Sequence, residues 1–302
     1  MSGPVIVCVG NLVYDEVFRV ETLPSAGIKT GCTGYSERFG GPAATAAVAI
    51  CRLGGQAAFW GRVGADAAGD LGIATLRGHG VDCAGVVVKP EGRTLRAIVF
   101  VDDRGERMIV SNRYSLAPDA DGLPADGLEQ AGVVLADTRW PAGAHIAFER
   151  AKAAGIPRVL DADGGSVADN QRLIEAADHV VFSSEGLRDH AGEGEPEALL
   201  RHCAGNGRTV FAVTCGSGGS LWLVDGVLAH VPAYRVAVRD TTGCGDVFHG
   251  AYAMALAEGR PPVEAARFAS AVAALKAERG EGWNGMPDRA SVEALMARGA
   301  TG

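Results

Sequence analysis

The sequence predicts a doubly wound α/β fold, in which helices cover both faces of a mostly parallel β-sheet. Short apolar runs rich in β-branched residues recur along the chain, and several of them are apolar throughout. Such runs are typical of strands that are buried on both faces of a parallel sheet. Alanine-rich segments of helical length separate the runs, and this alternation is the pattern of repeated βα units.

The individual elements follow from these runs. We expect strands at residues 5–9, 133–137, 159–161, 179–182 and 210–214, and helices at about 42–53, 66–79, 142–154, 167–176 and 194–204. Two stretches, residues 16–39 and 93–113, instead alternate apolar with polar residues and contain turn signals. They predict antiparallel strands outside the main sheet, forming a small lid over its edge. No linker or repeat interrupts the chain, so one domain with a lid is expected over residues 1–302.

Composition excludes several classes of protein. The chain has 302 residues, 47% hydrophobic and 21% charged, which is ordinary for a globular protein with a sizeable core. Its net charge of −8 would repel a nucleic-acid backbone, and no apolar run is long enough to cross a bilayer. The seven scattered cysteines suit reduced thiols. With no basic leader before the first strand, we expect a cytoplasmic protein without nucleic-acid or membrane partners.

The strongest local signal is the segment DTTGCGD, residues 240–246, followed by an apolar-striped stretch of helical length. Gly243 and Gly245 therefore lie in a turn at a helix N-terminus, where backbone N–H groups and the helix dipole attract an anion. Asp246 follows directly and can accept a hydroxyl proton as the oxygen attacks the γ-phosphoryl of ATP. A simple turn before a helix-start acid is the alternative, but the threonines and Asp240 make the segment more specific.

DTTGCGD resembles the C-terminal signature of the ribokinase-like (PfkB) carbohydrate kinases. Three other segments resemble family motifs in the same order: GGPAA at 40–44, VGADAAG at 63–69 and TCGSGG at 214–219. The resemblance spans nearly the whole chain. It implies a ribokinase-like three-layer α/β/α fold with a β-stranded lid, and an enzyme that phosphorylates a sugar with ATP.

The resemblance also implies roles for particular residues. Asp246 would be the catalytic base, and the N–H groups of Gly243, Cys244 and Gly245 would hold the transferring phosphoryl group. The nucleotide would contact Thr214, Gly216 and Gly219.

On the acceptor side, Asp15 matches the family's ligand for a substrate hydroxyl. A strand-end carboxylate in solvent is the alternative, although ligands of open α/β sheets bind beyond the carboxyl ends of the strands. Gly40 and Gly41 would let the backbone approach the sugar, or would only form a tight turn.

Two positions depart from the family pattern. Thr45 stands where the family often has Asn, and Ser183-Ser184-Glu185-Gly186 replaces the Asn-x-x-Glu motif linked to magnesium. Mg²⁺ is still expected, because phosphoryl transfer from ATP uses a divalent cation that bridges the phosphates. Its protein ligands stay unassigned, since Glu185 is either a substitute ligand or a first-turn helix acid.

The acceptor is suggested by a group of polar residues. Arg139 follows a predicted strand, Lys29 lies in the first lid segment, and Ser111 and Asn112 end the second. Each alone suits an ordinary surface position, but together they suit an acceptor with an anionic group. GGPAATAAVA, LADTRW and DTTGCGDVFHGA resemble the 6-deoxy-6-sulfofructose kinases. This resemblance implies transfer to the C1 hydroxyl of a sulfonated ketose, with Arg139 and Lys29 on the sulfonate and Asn112 or Ser111 assisting.

The sequence is also compatible with other functions. A kinase for an uncharged sugar such as fructose or ribose would use the same catalytic segment. A catalytically silent sugar-binding regulator would not need Asp246. A dinucleotide oxidoreductase is disfavoured, because GxGxxG occurs only at 280–285, after a helix, and its fingerprint needs a preceding strand. Lid strands with exposed edges can also pair across a two-fold axis, which would give a homodimer.

Overall fold

A computed structural model describes residues 3–104, 106–112, 115–205 and 210–299. Its strands, in chain order, are β1 (Val5–Asn11), β2 (Val13–Arg19), β3 (Gly34–Gly40), β4 (Gln56–Gly64), β5 (Val87–Lys89), β6 (Leu95–Val101), β7 (Arg107–Ser111), β8 (Ala131–Asp137), β9 (Arg158–Asp161), β10 (His179–Ser183), β11 (Val210–Thr214), β12 (Ser220–Val224) and β13 (Val227–Val231). They form two sheets, one of nine strands and one of four.

The nine-stranded sheet has the order β13-β12-β11-β10-β9-β8-β1-β4-β5. From β11 to β5 all neighbours run parallel, and only β12 and β13 at one edge pair antiparallel. Each of the five predicted strands lies within this sheet. Strands β1, β8 and β9 end at Asn11, Asp137 and Asp161, and these carboxyl ends meet at one edge of the sheet. That edge is where a doubly wound fold places its ligands.

Nine helices occur in the described residues: α1 (Pro42–Arg52), α2 (Ala67–Gly78), α3 (Pro141–Ala153), α4 (Val167–Ala176), α5 (Ser184–Ala191), α6 (Pro196–Ala204), α7 (Cys244–Ala257), α8 (Pro262–Arg279) and α9 (Arg289–Arg298). One buried cluster joins the sheet to α1, α7 and α8, and a second joins its other face to α3, α4 and α6. The predicted three-layer α/β/α fold is thereby confirmed. The five predicted helices end within two residues of the observed ends. None of the described helices is long and apolar enough to span a membrane.

The second sheet, here called the lid sheet, has the order β3-β2-β6-β7. β2 pairs antiparallel with β3, and β6 with β7, but β2 and β6 run parallel. The expectation that all these strands are antiparallel is therefore wrong for the central pair. The reason lies in the connection, since the chain passes through α1, β4, α2 and β5 between β3 and β6. Such a crossover can return a strand in the parallel direction.

Candidate active site

The DTTGCGD segment forms a turn that leads directly into α7. Gly243 is the residue before the helix and has a left-handed backbone with φ 75°, a conformation that favours glycine. Cys244 and Gly245 are the first helical residues, and Asp246 lies in the first turn. The Cys244 N–H donates to Thr241 O over 3.2 Å, so this N–H is already used within the turn. The helix start still presents the positive end of the α7 dipole beside the Asp246 carboxylate.

The Asp246 carboxyl group has a high proton affinity. Its pKa is raised from 3.8 to about 7, chiefly because burial penalises the ionised form. His249 and Arg139 oppose this effect. A carboxyl pKa close to neutral is what a general base needs if it is to accept a hydroxyl proton and release it again.

Asp137, at the end of β8, joins this edge of the sheet to α1. It is only 2% exposed, and its two oxygens accept the Ala43 N–H (3.0 Å) and the Arg139 N–H (2.7 Å). Burial nevertheless raises its pKa to about 6. The carboxylate thus holds the first turn of α1, which follows the paired glycines, against the end of β8.

Two further buried groups, Asp161 and His249, lie next to Asp246 and were not expected as site residues. His249 follows Asp246 by one helical turn, and its Nδ1 lies 3.4 Å from Asp161 Oδ2. The sequence could have indicated Asp161 and Asp137, since each is an acidic residue at the end of a predicted strand, where ligands of such sheets bind. His249 gave no such signal, because a histidine within a helix more often packs or caps than reacts.

Asp15 and the paired glycines lie together where β2 and β3 meet. Asp15 pairs across the strands with Arg38, whose Nε is 4.0 Å from its Oδ2, and burial raises the Asp15 pKa to about 6. A Cβ on Gly40 would stand 2.8 Å from Asp15 Oδ2. Gly41 has φ 102°, and a Cβ there would stand 2.1 Å from Asn11 O. Both glycines therefore let the chain pass close to the end of β1 and to the Asp15 carboxylate.

Arg139 reaches the carboxylate-rich edge of the sheet. The residue is exposed, and its guanidinium lies over Gly164, where a Cβ would be 2.6 Å from Nη1. Its charge lowers the pKa values of Asp137, Asp161 and Asp246, which places the guanidinium near all three carboxyl groups. The structure therefore brings Arg139 to the same edge as Asp246.

The other predicted acceptor residues belong to the lid sheet and its loops. Ser111 lies opposite Ala97, which lies opposite Asp15, so Ser111 and Asp15 share one face of the sheet. The Asn112 amide oxygen accepts the Arg96 N–H at 2.6 Å and so extends the pairing of β6 with β7. Lys29 is exposed in the loop between β2 and β3 rather than on a strand.

An open cleft of about 1060 Å³ separates the lid sheet from residues 239–242 and 279–284. Arg38 and Thr242 line it, whereas Asp15 and Asp246 are not among its lining residues. Across the cleft, Arg107 Nη2 of β7 lies 3.6 Å from Asp240 Oδ1. The cleft thus reaches the DTTGCGD segment from the side of the lid sheet.

The predicted nucleotide residues lie in the turn between β11 and β12. Thr214 is the last residue of β11, and Gly216 (φ 55°) and Gly219 (φ 85°) bound a short 3₁₀ turn. A Cβ on Gly219 would stand 2.2 Å from Val231 O, so the turn packs closely against the end of β13. Because β11 is parallel to β10 and β9, this turn lies at the same sheet edge as Asp246.

The segment at 183–186 forms the start of α5. Ser183 caps the helix by accepting the Gly186 N–H at 2.9 Å, and its hydroxyl donates to Asp163 Oδ1 at 2.8 Å. Glu185 is exposed in the first turn of α5. Within the ranges that the structure describes, no group of three or more His, Cys, Asp or Glu residues is arranged to hold a metal ion.

Comparison with known proteins identifies the class of enzyme. Residues 4–289 match the profile of the pfkB family carbohydrate kinases. The chain is 30% identical to a ribokinase of Arabidopsis thaliana, over 97% of this chain and 81% of that protein. It is 31% identical to a fructokinase of Vibrio alginolyticus, over 70% of this chain and 74% of that protein. The structure of Arabidopsis thaliana ribokinase complexed with ribose and ATP superposes with a TM-score of 0.87 at 28% identity, covering 98% of this chain and 99% of the other.

The chain therefore belongs to the pfkB family of carbohydrate kinases. It is an ATP-dependent sugar kinase of the ribokinase and fructokinase type, with the ribokinase-like fold.

Proposed function

We propose that this kinase transfers the γ-phosphoryl group of ATP to a hydroxyl of a ketohexose-type acceptor, with Asp246 as the base. One observation carries this proposal: the first turn of α7 combines a carboxyl group of raised pKa with a site that attracts an anion. A carboxyl group with a pKa near 7 stands directly beside the start of α7, where the dipole favours an anion.

In this mechanism the acceptor hydroxyl gives its proton to an Asp246 oxygen as the hydroxyl oxygen attacks the γ-phosphorus. A new P–O bond forms, the bond to the β-phosphate oxygen breaks, and ADP leaves. The N–H groups of Gly243 and Gly245 and the α7 dipole stabilise the negative charge on the transferring phosphoryl group. The Cys244 N–H contributes only if its hydrogen bond to Thr241 O is broken. Thr214, Gly216 and Gly219 hold the nucleotide at the turn after β11.

Mg²⁺ would enter this site bound mainly to the phosphates of ATP. Mg²⁺ in kinases is held by substrate phosphates, waters and one or two carboxylates rather than by an all-protein cage. The described residues include no ready-made cluster of metal ligands, and the exposed Glu185 is a single carboxylate at the same sheet edge. The ion would neutralise the charge that develops on the β- and γ-phosphate oxygens.

For the acceptor we propose 6-deoxy-6-sulfofructose, phosphorylated at its C1 hydroxyl. The position of Arg139 supports this choice, since its exposed guanidinium lies at the same sheet edge as Asp246 and can form paired hydrogen bonds with a sulfonate. Asp15 would accept a sugar hydroxyl from the lid, and Lys29, Ser111 and Asn112 would complete the pocket. The runner-up is an uncharged sugar, which the relatives named ribokinase and fructokinase favour.

The test compares kcat/KM for sulfofructose, fructose, ribose and fructose 6-phosphate with Mg²⁺ and ATP. Arg139→Ala should raise KM for the sulfonated sugar about 10- to 100-fold, since hydrogen bonds to charged groups contribute about 1.5–3 kcal/mol. It should leave KM for fructose nearly unchanged. Arg201→Ala replaces an exposed arginine of α6 and is the matched control. It should change neither the KM for the sulfonated sugar nor the KM for fructose. Equal kcat/KM for sulfonated and neutral sugars in the wild type would reject sulfofructose and support the runner-up.

A homodimer through the lid sheet is also proposed. Strands β3 and β7 are the edges of this sheet, and β7 exposes Met108, Ile109 and Val110 on its two faces. Unpaired apolar edges of this kind favour pairing with another chain. Light scattering should give the mass of two chains, and Ile109→Lys should return it to one.

A further inference from the structure

The His249 imidazole is surrounded by hydrogen-bond acceptors. Nδ1 lies 2.7 Å from Gly245 O and 3.4 Å from Asp161 Oδ2, and Nε2 lies 3.3 Å from Val181 O. A neutral imidazole carries only one N–H, so in that form one ring nitrogen would present its lone pair to an oxygen. The surroundings therefore favour an additional proton on the ring or on the carboxyl group beside it.

Asp161 has the complementary shortage of donors. The residue is 5% exposed, and among the described residues its Oδ1 has no hydrogen-bond partner. An ionised carboxylate oxygen that is buried without a donor is strongly disfavoured. Burial, with Asp163 and Asp137 nearby, raises the Asp161 pKa well above its usual range, and burial lowers the His249 pKa. Both directions favour a pair with no net charge.

We propose that Asp161 and His249 share one proton behind Asp246, and that this neutral pair is a positioning element that keeps Asp246 ionised and able to act as a base. This inference rests on the proposed function of Asp246. His249 lies one turn after Asp246 on α7, with Nδ1 2.7 Å from Gly245 O in the first turn, and Asp161 approaches from the end of β9. The pair is neutral either as carboxylic acid with imidazole or as carboxylate with imidazolium.

Charge neutrality matters because Asp246 stands among other ionisable groups. Those near Asp246 or Asp161 come from the ends of β8 and β9, from the segments that follow these strands, and from α7. They are Asp137, Arg139, Asp161, Asp163, Asp246 and His249. If Asp161 carried an unshared negative charge, it would raise the pKa of Asp246, and Asp246 would hold its own proton more tightly. Asp246 would then be protonated, and inactive as a base, over more of the neutral pH range.

The first measurement needs no turnover, so its failure is distinct from failure of the kinase proposal. The ¹⁵N NMR signals of the His249 ring are followed from pH 5.5 to 8.5 in the wild-type protein and in Asp161→Asn. The proposal expects wild-type signals that stay constant over this range and differ from those of Asp161→Asn. Titration near the ordinary histidine pKa of about 6.5 in the wild type, or identical signals in the two proteins, would overturn it.

The second measurement is the pH dependence of kcat in His249→Asn, Asp161→Asn and the double variant. In His249→Asn the Asp161 carboxyl group has no imidazole to share its proton, so its ionisation and that of Asp246 oppose each other. The acid limb of kcat should therefore move upward by about one pH unit. The double variant should return the limb to its wild-type position, because two amides carry no charge. His179→Asn, at a buried histidine that bonds to Tyr252 (2.8 Å), is the control and should not move the limb. An unmoved limb in His249→Asn, or no return in the double variant, would refute the proposal.

Discussion

Trp283 donates its indole N–H to the Thr45 hydroxyl oxygen over 3.0 Å, joining the turn after α8 to the first turns of α1. Thr45 is 4% exposed, and its methyl group lies 3.6 Å from the point where a Cβ on Gly243 would stand. The ring of Trp283 also meets His79 edge to face, with centroids 5.6 Å apart. This contact therefore fixes the side of α1 that faces the turn at Gly243, which we propose binds the transferring phosphoryl group.

Loss of the indole donor should loosen acceptor binding. Trp283→Phe keeps the aromatic ring but removes the N–H, and a hydrogen bond of this kind contributes about 0.5–1.5 kcal/mol. We expect KM for the sugar to rise about 2- to 10-fold, with a smaller change in the KM for ATP. Thr45→Ser keeps the acceptor oxygen and should behave almost as the wild type, whereas Thr45→Val should match Trp283→Phe. Wild-type kinetics in Thr45→Val would show that the contact has no part in binding.

Gly41 should be far less tolerant of alanine than Gly54. Both residues have positive φ, 102° and 84°, so each substitution introduces backbone strain of about 1–2 kcal/mol. Only at Gly41 would the new Cβ also collide with a backbone atom, Asn11 O at 2.1 Å, whereas at Gly54 nothing lies within 4 Å. Urea unfolding should show a clearly larger loss of free energy of unfolding in Gly41→Ala. Equal losses in the two variants would contradict the close approach of this turn to β1.

The local features of the site could be predicted from the sequence. Gly243, Gly245 and Asp246 are neighbours in the chain, so a turn, a helix start and an acidic residue in the first helical turn can be recognised from consecutive residues. The same holds for the parallel strands, whose apolar runs reveal burial on both faces. Arg139 could be placed at the sheet edge because it follows a predicted strand.

Long-range contacts could not be predicted in this way. Thr45 and Trp283 are 238 positions apart, and the approach of His249 to Asp161 depends on how α7 packs on β9. Local spacing carries no signal for such pairs. The parallel pairing of β2 with β6 was missed for a related reason, since it depends on the long connection between them and not on the pattern within either strand.

Asp246 should make the folded protein less stable as the pH rises. Its folded pKa is about 7 against an ordinary 3.8, so between these values the folded state binds a proton that the unfolded state has released. The stability that this proton contributes is present below about pH 4 and is lost as the pH rises toward 7. Asp246→Asn removes this dependence, and we expect its Tm, relative to the wild type, to be higher at pH 8 than at pH 5.

Asp288→Asn provides the control for that measurement. Its carboxylate caps α9 by accepting the Ser291 N–H at 2.8 Å, which lowers its pKa below the ordinary range. Since both pH values lie above that pKa, the change in Tm should be the same at pH 5 and pH 8. A Tm difference for Asp246→Asn that does not grow with pH would contradict the raised pKa.

The central claim is that Asp246 takes the proton of the sugar hydroxyl during phosphoryl transfer, and its most direct test is the turnover of Asp246→Asn. With Mg²⁺, ATP and the best acceptor, kcat should fall by about 10²- to 10⁴-fold, the usual contribution of a general base. ATP affinity measured by calorimetry should stay near the wild-type value, and Asp288→Asn should keep full activity. Turnover of Asp246→Asn within a few-fold of the wild type would contradict the claim.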